Sequence, residues 1–205
     1  MMVLTVGSAQ AALTIVNPSE VNFSGYDGEP AAITGTFSTG LWGALSASTA
    51  GTFYATYLGN ESGYTNSFLS FDGDVKSLVE SNSVGTTVAT NVNAGIIPFA
   101  FFDSVSSFFF NGSNQTPILG FAIMQPKSLS NEFELFASKE SESYSQYDYI
   151  IGFNDSFRSD ADYDDFVIGV KFVAAAVPEP ETYALMLAGL GIVGFTARRR
   201  KNKQA

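Results

Sequence analysis

Four carboxylates fall within six positions at Asp160-Ala161-Asp162-Tyr163-Asp164-Asp165, shortly after Asn154-Asp155. Carboxylates packed that closely repel one another unless a hard cation or water screens them. Calcium takes about six to eight oxygen ligands, and an Asp-x-Asp-x-Asp run offers three at alternate positions. Asp160, Asp162, Asp164 and Asp165 are therefore the calcium-ligand candidates of this chain. The run is not an EF-hand loop, which requires Gly at its sixth position and Glu at its twelfth; Asp165 and Lys171 stand there instead. The equally weighted alternative is a solvated acidic turn whose Asp side chains cap backbone amides.

A second group, Tyr54, Tyr57, Tyr64 and Asn66, surrounds Gly59-Asn60-Glu61-Ser62-Gly63. Aromatic rings beside amides and carboxylates suit sugar faces and hydroxyls, although a plain hairpin with half-buried tyrosines carries the same residues. Other chemistry is excluded by composition. The 205 residues include no histidine and no cysteine, which removes Ser-His-Asp and Cys-His hydrolases, thiolate zinc sites and disulfides. A two-carboxylate hydrolase stays open in principle, but nothing in the sequence sets two acids at a defined separation. The expectation is a protein without catalytic activity. Trp42, the sole tryptophan, lies in a Gly-rich stretch and points to no role.

The elements that position these residues are strands. From Leu13 to Val173 short apolar runs alternate with Gly, Asn, Ser and Asp. Predicted strands cover Ala31–Phe37, Thr52–Leu58, Ser67–Phe71, Thr86–Asn91, Ile96–Phe102, Ile118–Met124, Glu132–Ala137, Tyr147–Phe153 and Phe166–Val173. Phe166, Ile168, Val170 and Phe172 fall on one face and Val167, Gly169, Lys171 and Val173 on the other. Phe108-Phe109-Phe110 breaks the alternation and reads as a strand buried on both faces, the lesser alternative being an exposed hydrophobic tip. Together these features predict an all-β fold, an antiparallel β-sandwich or jelly-roll-like body, over residues 12–176. The body from Ala12 to Val177 holds 18 acids against 5 bases, hence −13, and repels phosphate backbones, so no nucleic-acid partner is expected.

The two ends differ from the body. Val177-Pro178-Glu179-Pro180-Glu181-Thr182 leads into Tyr183–Ala197, which lacks any charge, and then into Arg198-Arg199-Arg200-Lys201. Fifteen helical residues span roughly 22 Å against a bilayer core of about 30 Å, so a single transmembrane helix over 183–197 needs its flanks, with arginine stems reaching to the interface. The basic cluster belongs on the cytoplasmic side and the acidic body outside. A buried amphipathic helix is the lesser alternative, since the run has no polar face. At the other end, Ala9-Gln10-Ala11 fits a signal-peptidase site. A shortened signal peptide over residues 1–11 is expected, with the mature chain beginning near Ala12.

The C-terminal arrangement closely resembles the PEP-CTERM sorting signal of Gram-negative bacteria. Pro178-Glu179-Pro180 matches its motif, Tyr183–Ala197 its short membrane helix and Arg198–Arg200 its basic terminus, so residues 177–205 form one sorting segment. The resemblance implies export, an inner-membrane-anchored precursor, and processing near the motif by an exosortase. It also implies delivery to the cell surface or an extracellular matrix that contains exopolysaccharide. Pro178, Glu179 and Pro180 would be a substrate, and Arg198, Arg199, Arg200 and Lys201 a basic membrane anchor. The competing expectation is a calcium-stabilised module that binds carbohydrate or exopolysaccharide. More loosely, Gly152–Asp155 through Asp160–Asp165 into Phe166-Val167-Ile168 looks like the Asp-rich strand–loop–strand end of an uncharacterised β-domain found in exported bacterial proteins.

Overall fold

The computed structural model describes residues 12–23, 39–105, 107–113, 120–124, 146–155, 161–176 and 180–201. The predicted leader over 1–11 and the predicted strands Ala31–Phe37 and Glu132–Ala137 lie outside them. The chain divides into two compact units, Met1–Ala174 and Ala175–Ala205.

The first unit is antiparallel β-structure in two sheets, as the apolar/polar alternation predicts. Its strands are β1 (Leu13–Asn22), β2 (Thr39–Ala47), β3 (Gly51–Gly59), β4 (Asn66–Phe71), β5 (Val75–Val79), β6 (Thr87–Val92), β7 (Gly95–Ile96), β8 (Phe99–Asp103), β9 (Phe108–Phe110), β10 (Gly120–Met124), β11 (Tyr149–Asn154) and β12 (Phe166–Ala174). The larger sheet runs β1-β2-β10-β11-β12-β3-β6, with β7 also pairing β2. The smaller runs β5-β4-β8-β9.

Phenylalanines join the sheets. Phe68, Phe99 and Phe101 of the small sheet meet Phe53, Phe121, Phe153 and Phe166 of the large one in a single core. The Phe101 and Phe153 rings stack at 5.0 Å, and those of Phe99 and Phe121 lie 5.4 Å apart. Each such ring removes on the order of 150–250 Å² from water, so this cluster supplies much of the apolar burial. On the opposite face of the large sheet a second cluster forms, with Leu58, Met124, Ile150 and Val167 lying under Tyr147, Ala161 and Tyr163.

Three departures from the sequence expectation have physical causes. Ile96–Phe102 is not one strand. Pro98, without an N–H, falls at a corner where the chain leaves β7 in the large sheet and enters β8 in the small one. Phe108–Phe110 is not doubly buried. It is an edge strand in which Phe109 packs on the core while Phe108 and Phe110 are each 51% exposed. Finally, β1, β2 and β5 were not predicted as strands. In β1 the left-handed Asn17 (φ 52°) precedes Pro18 at a register shift between Val16 and Ser19, so the alternation is interrupted.

The second unit is the helix α1 (Pro180–Lys201). Pro180 stands at its first position, where the absent N–H costs nothing. The basic residues gather in its last turns, where the helix dipole favours them. Leu185, Met186, Leu187, Leu190, Ile192, Val193 and Phe195 are all exposed. The expected membrane helix is thus present as a helix, but no helix among the described residues is long and apolar enough to cross a membrane. Three glycines, and charges at Glu181 and from Arg198 onward, shorten the apolar stretch.

Candidate functional site

The acidic segment is held by the ends of β11 and β12 and by the loop after β3. Asp155 closes β11 and is 1% exposed. Its Oδ2 accepts from Ser62 Oγ at 2.6 Å and from Asn66 Nδ2 at 2.8 Å. Its backbone N–H donates to Asp165 Oδ2 at 2.7 Å, which ties the start of the loop to its end. The Glu61 N–H donates to the Asp164 carbonyl at 3.1 Å. Ser62 Oγ also accepts from Tyr64 N at 2.9 Å, while Asn66 N donates to Glu80 Oε1 at 2.6 Å. Burial outweighs that backbone bond and holds the Glu80 carboxyl above its usual range, with the Asp155 charge adding to the effect.

Between these anchors the backbone is forced close to the sheet. A Cβ on Gly152 would lie 2.1 Å from the Tyr163 carbonyl oxygen, so only glycine lets the loop lie there. Tyr163 itself takes a left-handed conformation (φ 59°), uncommon for an aromatic residue. Its fully buried ring contacts Phe23 at 5.0 Å, and its hydroxyl accepts from Trp42 Nε1 at 3.0 Å. Burial raises its phenol to about 12, partly offset by that indole donor.

Asp164 is the unusual carboxylate. It is 3% exposed, and Oδ2 has no hydrogen-bond partner. Desolvation first, then the charges of Asp162, Asp165 and Glu61, then a hydrogen bond shared with Asp162, hold its carboxyl far above the usual range. The structure thus brings Asp162, Asp164 and Asp165 together and adds Glu61, Asp155, Ser62 and Asn66, which sequence spacing did not connect with them. Asp160 lies outside the described residues. Among the described residues no three carboxylates are arranged to hold a metal ion. What this arrangement does in itself is join β3, β4, β11 and β12 through a buried polar network.

The Tyr54, Tyr57, Tyr64 and Asn66 group does not form one site. Tyr54 and Tyr57 are three apart on β3 and so face opposite sides of the sheet. Tyr57 enters the core against the Phe166 ring at 4.9 Å, and burial with the nearby Glu80 charge raises its phenol to about 12. Asn66 is fully buried in the acidic network. The strand period alone separates the two tyrosines.

In the C-terminal unit, Pro178 and Glu179 lie outside the described residues, while Pro180 opens α1 and Arg198, Arg199, Arg200 and Lys201 close it. The Arg199 guanidinium sits 4.9 Å from the Phe195 ring centroid, one turn back along the helix. Residues 176–201 match the family model described as the PEP-CTERM protein-sorting motif. The chain carries a PEP-CTERM sorting signal. No curated protein and no solved structure matches the chain.

Proposed function

We propose that this chain is exported and delivered to the cell surface or extracellular matrix by C-terminal sorting, with a β body that has no catalytic activity. The observation that carries this reading is the PEP-CTERM match over 176–201 on a helix with apolar side chains around its circumference and a basic end. An exosortase-type membrane protease would cut near Pro178-Glu179-Pro180. Prolines favour the extended backbone that a protease active site accepts. The apolar segment holds the precursor at the inner membrane despite its shortness. Arg198, Arg199, Arg200 and Lys201 extend their stems to the cytoplasmic interface, leaving the acidic body outside. The absence of His and Cys from the sequence supports a non-catalytic body.

The experiment is an immunoblot of fractions from the native host, with and without its exosortase, using a tag within the body. A shortened product in the outer fractions, replaced by full-length membrane-bound precursor in the protease-null strain, is expected. Pro178→Ala with Pro180→Ala should cause the same accumulation. Full-length protein in the cytoplasm of both strains, its arginines intact, would rule the proposal out.

A further inference from the structure

On the outer face of the large sheet, β6, β3 and β12 floor a cleft of about 680 Å³, within the range of small-ligand sites. Among the described residues it is lined chiefly by Tyr54, Thr56, Thr87, Gln146, Tyr147 and Lys171. Strand register brings them together: Tyr54 pairs with Lys171, and Thr56 with Thr87. Gly169 supplies the space, because a Cβ there would stand 2.7 Å from the Tyr147 ring. That ring therefore lies against the bare sheet as one wall, and half-buried Tyr54 contributes a second ring.

The polar groups are complementary in kind. Thr56 and Thr87 share a hydrogen bond of 2.8 Å, and Thr87 Oγ1 donates to the Gly85 carbonyl at 3.2 Å. With Thr56 the donor in the shared bond, both hydroxyl protons are used and the floor presents oxygen lone pairs. Those lone pairs accept from the hydroxyl groups of a ligand. Gln146 adds an amide that both donates and accepts. Lys171 is exposed and has no acidic partner among the described residues, whereas Lys76 is held by Asp72 and Asp74 at 3.7 Å each. An ammonium with no acidic partner among the described residues, on a body with a net charge of −13, suits an anionic group on a ligand.

We infer that this cleft binds a short saccharide bearing a single carboxylate. The half-buried Tyr54 ring would stack on a pyranose face with the buried Tyr147 as the wall beside it, the threonine floor and Gln146 would take hydroxyls, and Lys171 would meet the uronate. The surrounding acidic charge disfavours densely charged polyanions, so the matching polymer carries uronates spaced among neutral sugars. The inference concerns a different site from the sorting tail and does not depend on it.

Calorimetric titration of the full-length chain, in a detergent without sugar headgroups, tests this. The probes are a panel of oligosaccharides carrying one glucuronate each, and their carboxyl-reduced counterparts. The acidic forms are expected to bind at least about tenfold tighter than the reduced ones, with the preference abolished in Lys171→Gln. Tyr54→Ala should weaken both by about tenfold. Circular dichroism checks that each variant is folded, and exposed Lys171→Gln remains informative if Tyr54→Ala is not. Absence of binding across the panel, equal affinity for acidic and reduced forms, or wild-type affinity in folded Lys171→Gln would overturn the proposal.

Discussion

The indole N–H of Trp42 on β2 donates to the phenolic oxygen of Tyr163 at 3.0 Å. This bond joins a strand near the start of the body to the acidic loop near its end. The only tryptophan, which the sequence left without a role, thus reports on the segment richest in carboxylates. Trp42→Phe should cost about 1–2 kcal/mol by denaturant unfolding, the range for a hydrogen bond to a buried hydroxyl. In the wild type, the Trp42 emission shift and the loss of far-UV β signal should share one midpoint. An earlier emission shift would show that the loop opens independently of the sheets.

Asp164 determines the pH response. Its folded carboxyl is raised above the unfolded value, so its contribution to stability is fully present below the unfolded carboxylate range. That contribution falls away as pH rises through the folded pKa, and Glu80 acts in the same direction. The melting temperature should therefore be higher at pH 5 than at pH 8. Asp164→Asn should raise it at pH 8 by at least about 4 °C, the shift that roughly 1–2 kcal/mol produces in a domain of this size. If calcium holds the loop, the opposite is expected: calcium would raise the wild-type melting point at pH 8, and Asp164→Asn would lose that gain.

Gly152→Ala places a methyl against the Tyr163 carbonyl and should destabilise the body by about 1–3 kcal/mol or more. Gly191→Ala in α1 meets no atom within 4 Å and should raise helicity, gaining about 1 kcal/mol from propensity alone. Denaturant titration of the first and circular dichroism of the second would check the contrast.

The edge strand β9 separates burial from composition. Phe108→Ser and Phe110→Ser should each change stability by no more than about 0.5 kcal/mol, as substitutions at half-exposed sites do. Phe101→Ala empties the middle of the core and should cost about 3–5 kcal/mol.

Asn111 does the work of a strand residue. Its Oδ1 accepts from Leu45 N at 2.8 Å, and its Nδ2 donates to the Leu45 and Ile97 carbonyls, also at 2.8 Å. Asn111→Ala should cost about 1–3 kcal/mol in chemical denaturation, because it leaves the Leu45 N–H without its partner, while the Leu45 and Ile97 carbonyls keep the N–H groups of Ile97 and Phe99.

What was legible in the sequence follows from period and continuity. The Phe166–Val173 alternation reads directly as a strand, and β12 forms there with Phe166, Ile168 and Val170 inward. The tail was legible because proline, an uncharged run and a basic end are composition signals that need no tertiary partner. Strand β1 was hidden by its bulge at Asn17-Pro18 and its largely exposed side chains. The fate of Phe108–Phe110 depended on sheet order, since only an edge position leaves two of three phenylalanines half exposed. The acidic network combines Ser62 and Asn66 with Asp155, and the cleft combines Tyr54 with Lys171. Such long-range pairings are products of register, which local pattern does not encode.

Strand β12 lies between β11 and β3 in the interior of the large sheet and ends at Ala174, just before the sorting segment begins. A nascent chain that lacks it leaves β11 paired only with β10 and β3 only with β6, so the large sheet cannot zip shut until β12 has emerged. Until then the chain stays short of a closed sheet, which is the state that the proposed export through a narrow conduit requires.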